Sequence, residues 1–286
     1  MTLRSNQHPS EIVVVERSVS PVEDPRILVT NDDGIDSPGL QKLASRLSKD
    51  FDVVVVAPAE DMSGTGTALG RFDPKAGVEL TKTTVDGIHE AYTVDGPPGL
   101  AVLAASLGAF GDPPDLVVSG INAGLNTGHS IIHSGTVGAA LTARTLGSRG
   151  LAVSLQQSED WHWDTAVDVA RSAVDWVIGR SGRSFVLNVN VPGLPLDDVL
   201  GIHWADLDEF GHIRVVTADV PAQRLEFGVR GAASAFDPAC DTALCQQGYV
   251  TATLLSTVEP LPFPPEEPTS IWAQNGKGDA RRAAAS

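Results

Sequence analysis

The chain has 286 residues, enough for one large α/β domain or two small ones around a sizeable core. Its 36 Asp and Glu outnumber its 20 Lys and Arg, giving a net charge of −16 and a pI near 4.7. This balance argues against a protein that coats nucleic acid or an anionic membrane through a basic surface, but it leaves a small anionic ligand open. A composition 42% hydrophobic and 20% charged excludes collagen, coiled coil and low-complexity chains.

In chain order, residues 1–25 read as a loosely attached N-terminal arm. Pro21 and Pro25 interrupt them, and they lack the apolar run of a signal peptide. No stretch reaches the ~18 consecutive apolar residues of a membrane span, so a cytoplasmic protein is expected. Residues 26–192 alternate short apolar runs with helix-like stretches. Strands are expected at 26–30, 52–57, 115–119, 151–155 and 185–190, and helices at 39–48, 98–109, 136–146 and 165–178. Strands alternating with helices predict an α/β fold, a doubly wound and mostly parallel sheet covered on both faces. Beyond Pro192 the rhythm changes. Residues 213–217 and 248–255 look like strands, so 193–258 reads as a β-rich oligomerisation extension. Residues 259–268 hold five prolines, and 259–286 reads as a Pro-rich, flexible tail.

In a parallel sheet, ligands collect beyond the carboxyl ends of the strands, so the loops there are where chemistry is sought. The first, 30–39, carries Asp32 and Asp33 ahead of Gly34, whose freedom to turn sharply can bring both carboxylates together. Adjacent carboxylates repel unless a cation lies between them, and a hard ion such as Mg²⁺ or Mn²⁺ prefers such oxygens. Taken alone, the pair fits a helix cap equally well. The second loop, 57–67, offers Ser63 between glycines and matches neither a Walker loop nor a dinucleotide fingerprint. The third segment, 119–138, has no Lys, Arg, Asp or Glu but is rich in amides, hydroxyls and glycines. Ser134, Gly135 and Thr136 stand just before a small-residue helix, where free N–H groups and the helix dipole favour an oxyanion. A plain helix cap accounts for them equally well. His129 and His133 flank the segment without zinc-type spacing, and Cys240 and Cys245 read as structural.

Together these loops resemble the SurE family of stationary-phase survival proteins, which are metal-dependent 5′/3′-nucleotidases. The likeness rests on NDDG at 31–34, the AP…S loop at 57–63, SGINAGLN at 119–126 and HSGTVGAA at 133–140. The resemblance implies one divalent ion per subunit, Mg²⁺ or Mn²⁺, held by Asp32, Asp33, Ser63 and Asn122. It also implies a phosphate held by Ser134, Gly135 and Thr136, with Gly120, Asn122 and Asn126 around it. Further implications are a nucleoside monophosphate as the small-molecule partner and a homodimer or tetramer built through the C-terminal extension. The chemistry would be phosphomonoester hydrolysis by water, with Asp32 or Asp33 orienting or deprotonating it. Covalent attack by Asp32 is disfavoured, because the haloacid-dehalogenase pattern separates its two aspartates by one residue.

Two departures from the family pattern concern the leaving-group side. Met62 stands where an Arg often precedes the loop serine, and Leu100 and Ala101 replace an Asp and a Cys. They keep open a different small phosphomonoester, or a non-catalytic metal- and nucleotide-binding protein, as alternatives.

Overall fold

The computed structural model describes residues 18–71, 75, 77–209, 213–219, 226–231 and 237–256. In chain order the elements are β1 (Ser18–Val19), β2 (Arg26–Thr30), α1 (Pro38–Leu47), β3 (Asp52–Pro58), β4 (Leu80–Val85), β5 (Ile88–Val94), α2 (Pro98–Ser106) and β6 (Leu116–Ala123). There follow α3 (Gly135–Leu146), β7 (Arg149–Leu155), α4 (Trp163–Ile178), β8 (Gly182–Arg183), β9 (Val186–Val191), β10 (Ile202–Trp204), β11 (Ile213–Asp219), β12 (Glu226–Gly231), α5 (Asp241–Gln246) and β13 (Val250–Leu255).

Among the described residues, nine strands form one sheet in the order β10-β13-β9-β7-β6-β2-β3-β5-β4. The run from β9 to β5 is parallel throughout, while β13 and β4 join it antiparallel at either side. The strands are apolar because helices cover both faces. Ile27, Val29, Val53 and Val55 pack under α1 and α4, whereas Leu28, Val54 and Val56 pack under α2 and α3. This alternation gives the three-layer, doubly wound architecture expected from the sequence.

The helices carry their own signals. In α1, Leu40, Leu43, Ala44 and Leu47 form one buried stripe, Ser37 caps the N-terminus by accepting the Leu40 N–H at 3.3 Å, and Pro38 opens the first turn. α3 is capped by Ser134, and Gly135, Gly138, Ala139, Ala140 and Ala143 make its buried side small enough to lie close against β6 and β7. Among the described residues no helix is long and apolar enough to cross a membrane.

Some expectations needed revision. The strand expected at 115–119 runs on to Ala123 through a register shift between Ser119 and Asn122, so the SGIN segment is strand and not loop. The β4–β5 hairpin and the short α5 were not anticipated. Within the 193–258 span, β13 pairs with β9 in the main sheet, while β11 and β12 pair antiparallel with each other. In the N-terminal arm, Ser18 and Val19 pair with β8, and the Val22 N–H reaches the Ile178 carbonyl at 3.2 Å. The rest of that arm, residues 1–17, and the Pro-rich tail from 257 on lie outside the described residues.

Candidate functional site

The sheet order reverses between β2 and β6: from β2 the chain builds outward through β3 to β5, and from β6 outward through β7 to β9. The carboxyl ends of these two strands border the crevice where open α/β sheets take ligands. β2 delivers Asn31, Asp32 and Asp33 there, and β6 delivers Asn122. Gly34, at φ 94°, makes the turn that lets the aspartates follow the strand directly. Asn31 braces the turn by donating to the Gly34 carbonyl at 3.0 Å and to Ser37 Oγ at 2.7 Å.

The two carboxylates occupy different surroundings. Asp32 is 3% exposed and lies against the head of α3, where the Thr136 hydroxyl donates to Asp32 Oδ1. The packing is close enough that a Cβ on Gly135 would fall 2.7 Å from both the Cβ and Oδ2 of Asp32. Burial raises the Asp32 carboxyl above its ordinary value, and the Thr136 hydroxyl with the amides of Gly135 and Thr136 pulls it back. Asp33 is half-buried and accepts the Ala123 N–H at 3.3 Å. Burial first, then the adjacent Asp32 charge and that of Asp61, push Asp33 up to about 6.

Asn122 completes this group. Its amide donates to the Gly124 carbonyl at 2.7 Å, which turns Oδ1 toward Thr136, 3.2 Å away. Thr136, fully buried, thus links the expected cation ligands Asp32 and Asn122. The loop after β3 is clipped over the same end: the Met62 N–H donates to the Asp32 carbonyl at 2.7 Å and the Gly66 N–H to the His133 carbonyl at 3.1 Å. That loop brings up Ser63, exposed, whose amide donates to Asp61 Oδ1 at 2.8 Å.

Of the residues expected around a phosphate, Ser134, Gly135 and Thr136 form the head of α3 beside Asp32. Ser134 Oγ accepts the Val137 N–H at 3.1 Å, as a helix cap does, and its hydroxyl proton remains to be donated. Gly120 lies upstream in β6. Asn126 is turned toward β7 and β9: its backbone N–H donates to Asn190 Oδ1 at 2.8 Å and its side-chain amide to Ser154 Oγ at 2.9 Å. Asn188 and Asn190 both donate to its carbonyl. His129 and His133 are exposed, and Cys240 and Cys245 are buried free thiols. Leu100 and Ala101 belong to α2 and are buried in the apolar cluster it forms against the sheet, so the departure there replaces polar groups by core.

Several contributors escaped sequence analysis. Asn188 and Asn190 fix the 124–128 loop from β9, and two nearly fully buried amides in an otherwise apolar strand were the available signal. Asp241, fully buried at the start of α5, accepts the Gly128 N–H at 2.9 Å and the Asp208 N–H at 2.9 Å. Nothing local in the sequence announces that contact.

The donor set fits a hard divalent cation. Two carboxylates, the Asn122 carbonyl oxygen and the Ser63 hydroxyl are all oxygen, without imidazole or thiolate. Among the described residues neither Asp32 nor Asp33 has an ion-pair partner, and no three His, Cys, Asp or Glu side chains form a cluster that could hold a metal ion by themselves.

Fold and site together define a doubly wound α/β protein with a carboxylate-bearing, oxygen-rich crevice at its topological reversal. Residues 27–211 match the family model described as Survival protein SurE, and the chain belongs to the SurE family. It is 37% identical over 238 residues to 5′-nucleotidase SurE of Dehalococcoides mccartyi (strain CBDB1), covering 80% of this chain and 88% of the relative. It is 43% identical over 171 residues to 5′-nucleotidase SurE of Nitrosococcus oceani, covering 59% and 65% respectively. Among solved structures, the SurE protein from Aquifex aeolicus aligns with a TM-score of 0.69 at 31% identity, over 81% of this chain and 93% of that one.

Proposed function

We propose that this protein is a 5′-nucleotidase, a phosphomonoesterase that releases phosphate from nucleoside monophosphates with one divalent cation, Mg²⁺ or Mn²⁺, per subunit. The observation that carries the proposal is the juxtaposition of Asp32, Asp33 and Asn122 with the head of α3. Asp32, Asp33, Ser63 and Asn122 would hold the cation. When bound, the cation polarises a phosphoryl oxygen and lowers the pKa of a water molecule. The Ser134 hydroxyl at the head of α3 would steady the phosphoryl oxygens as charge shifts onto them. Asp32 is buried and held by Thr136, whereas Asp33 is half-buried and the more open of the two. Asp33 is therefore the carboxylate placed to orient the attacking water and take its proton. The bond between phosphorus and the ester oxygen breaks, and the nucleoside leaves as its alcohol.

A cytoplasmic location and a homodimer or tetramer built through residues 193–258 belong to the same proposal. The test is phosphate release by the full chain from nucleoside 5′- and 3′-monophosphates and sugar phosphates, with Mg²⁺ or Mn²⁺ and with chelator. Metal-dependent release with preference for nucleotides is expected. Preference for sugar phosphates would move the substrate to another small phosphomonoester, and tight nucleotide binding without turnover would make the protein a binder.

A further inference from the structure

One buried charge has no place in the chemistry above. Asp241, at the start of α5, is fully buried and has no ion-pair partner among the described residues. Burying a carboxylate without a cation is costly unless hydrogen bonds replace its water. Three backbone N–H groups do so: Oδ2 accepts from Gly128 at 2.9 Å, and Oδ1 accepts from Asp208 at 2.9 Å and from Thr242 at 2.8 Å. Asp208 precedes β11 and Asp241 follows β12, so the carboxylate joins the two stems of that strand pair. The stems are also tied by backbone: the Asp241 N–H donates to the Asp206 carbonyl at 2.8 Å, and the Asp208 carbonyl takes the His129 N–H at 3.0 Å. From Gly128 a run of backbone bonds leads on to the head of α3. Gly128, at φ 62°, opens the short 3-10 turn His129–His133; its carbonyl accepts the Ile131 N–H at 3.2 Å, and the Ile131 carbonyl accepts the Ser134 N–H at 3.0 Å. The turn thus starts at Asp241 and ends at the residue that caps α3.

We propose that Asp241 is a positioning residue for the phosphoryl group: its carboxylate fastens the two stems of the β11–β12 pair to the 128–134 turn and so fixes where Ser134 offers its hydroxyl. The inference rests on the phosphate role of Ser134 proposed above and deepens it. A neutral isostere does not replace it. A carboxylate accepts on both oxygens, whereas the amide of an Asn would turn N–H donors toward Gly128 or toward the Asp208 and Thr242 pair.

The experiment measures kcat/KM for a nucleoside 5′-monophosphate with Mn²⁺, and Mn²⁺ affinity by calorimetry. It compares the full chain with Asp241→Asn, Ser134→Ala and the double variant. Asp241→Asn should lower kcat/KM roughly tenfold or more, the scale of a small displacement at a reacting group, with Mn²⁺ affinity like the parent's. In the Ser134→Ala background the same substitution should change kcat/KM by less than about twofold, because residues acting through one another are not additive. A role confined to stability would multiply the two losses. Multiplied losses, a parent-like kcat/KM in Asp241→Asn, or a matching loss of Mn²⁺ affinity would overturn the role of Asp241 and leave the nucleotidase reading standing. Hydrogen exchange of the parent tests the same link without a substitution, and so holds even where Asp241→Asn does not fold. Inorganic phosphate with Mn²⁺ should slow the Asp208 and Thr242 amides together with that of Ser134, and protection confined to Ser134 would overturn the link. A parent-like Ser134→Ala, or no phosphate release by the parent, would overturn the reading on which the inference rests.

Discussion

Thr136 is the side chain on which the carboxylate geometry turns, because its single hydroxyl faces both Asp32 Oδ1 and Asn122 Oδ1 from a fully buried position. Thr136→Val keeps the shape and removes the donor, leaving a buried carboxylate under-bonded. It should cost about 1–3 kcal/mol in urea unfolding and weaken Mn²⁺ binding, with Thr136→Ser restoring both. Asp32→Asn should lower kcat by roughly 10²-fold or more, the scale of losing one preorganised electrostatic group, as phosphate release will show. Asp33 sets a pH dependence whose sign is unusual for a carboxylate. Its folded value of about 6 lies above the ordinary 3.8, so without metal the folded protein holds a proton that the unfolded chain gives up in that window. Metal-free stability from this group is present at low pH and is lost as pH rises through about 6. A cation needs the ionised form, so the Mn²⁺-induced rise in melting temperature should grow from pH 5 to pH 7.5. A rise of equal size at both would contradict this. Asp32, Asp33, Ser63 and Asn122 were recognisable in sequence as hard-oxygen residues following strands. That Thr136 serves Asp32, and that the donors of Asn126 are taken by Ser154 and Asn190, depends on contacts across 28 to 104 residues of chain.

The central strands and their helices were legible because burial on both faces forces continuous apolar runs, as in Ile27–Val29 and Val53–Ala57. The β4–β5 hairpin was not, because its residues, such as Thr81, Lys82 and Thr83, sit at the exposed border of the sheet and carry little apolar signal. β6 misled for another reason: the glycine and asparagine of SGIN read as loop, yet they form the irregular strand end that delivers Asn122. Where α3 meets the loop after β3, contact is between backbones. A Cβ on Gly138 would fall 2.0 Å from the Gly66 carbonyl oxygen, which no rotamer change can relieve. Gly138→Ala should therefore displace the 63–67 segment, cost about 1–3 kcal/mol in denaturant unfolding, and reduce kcat/KM. A parent-like kcat/KM would show that the loop's seat on α3 does not matter to the chemistry.

Across the chain, a net charge of −16 is not spread to serve the crevice. Residues 26–150, which supply every proposed ligand, carry a net −5, and residues 151–286 a net −9. The crevice itself sets Asp32, Asp33 and Asp61 among neutral amides and hydroxyls, so a bound divalent ion would offset two of these three negative charges and give a phosphate a local positive centre to approach. On this view the acidity excludes polyanionic surfaces while the metal admits one small phosphate. The most direct test is phosphate release from a nucleoside 5′-monophosphate by chelator-stripped full-length protein before and after Mn²⁺ or Mg²⁺ is restored. Release should be absent when stripped, return with the metal, and fail to return in Asp32→Asn. Undiminished release in chelator, or none from any nucleotide with either metal, would contradict it.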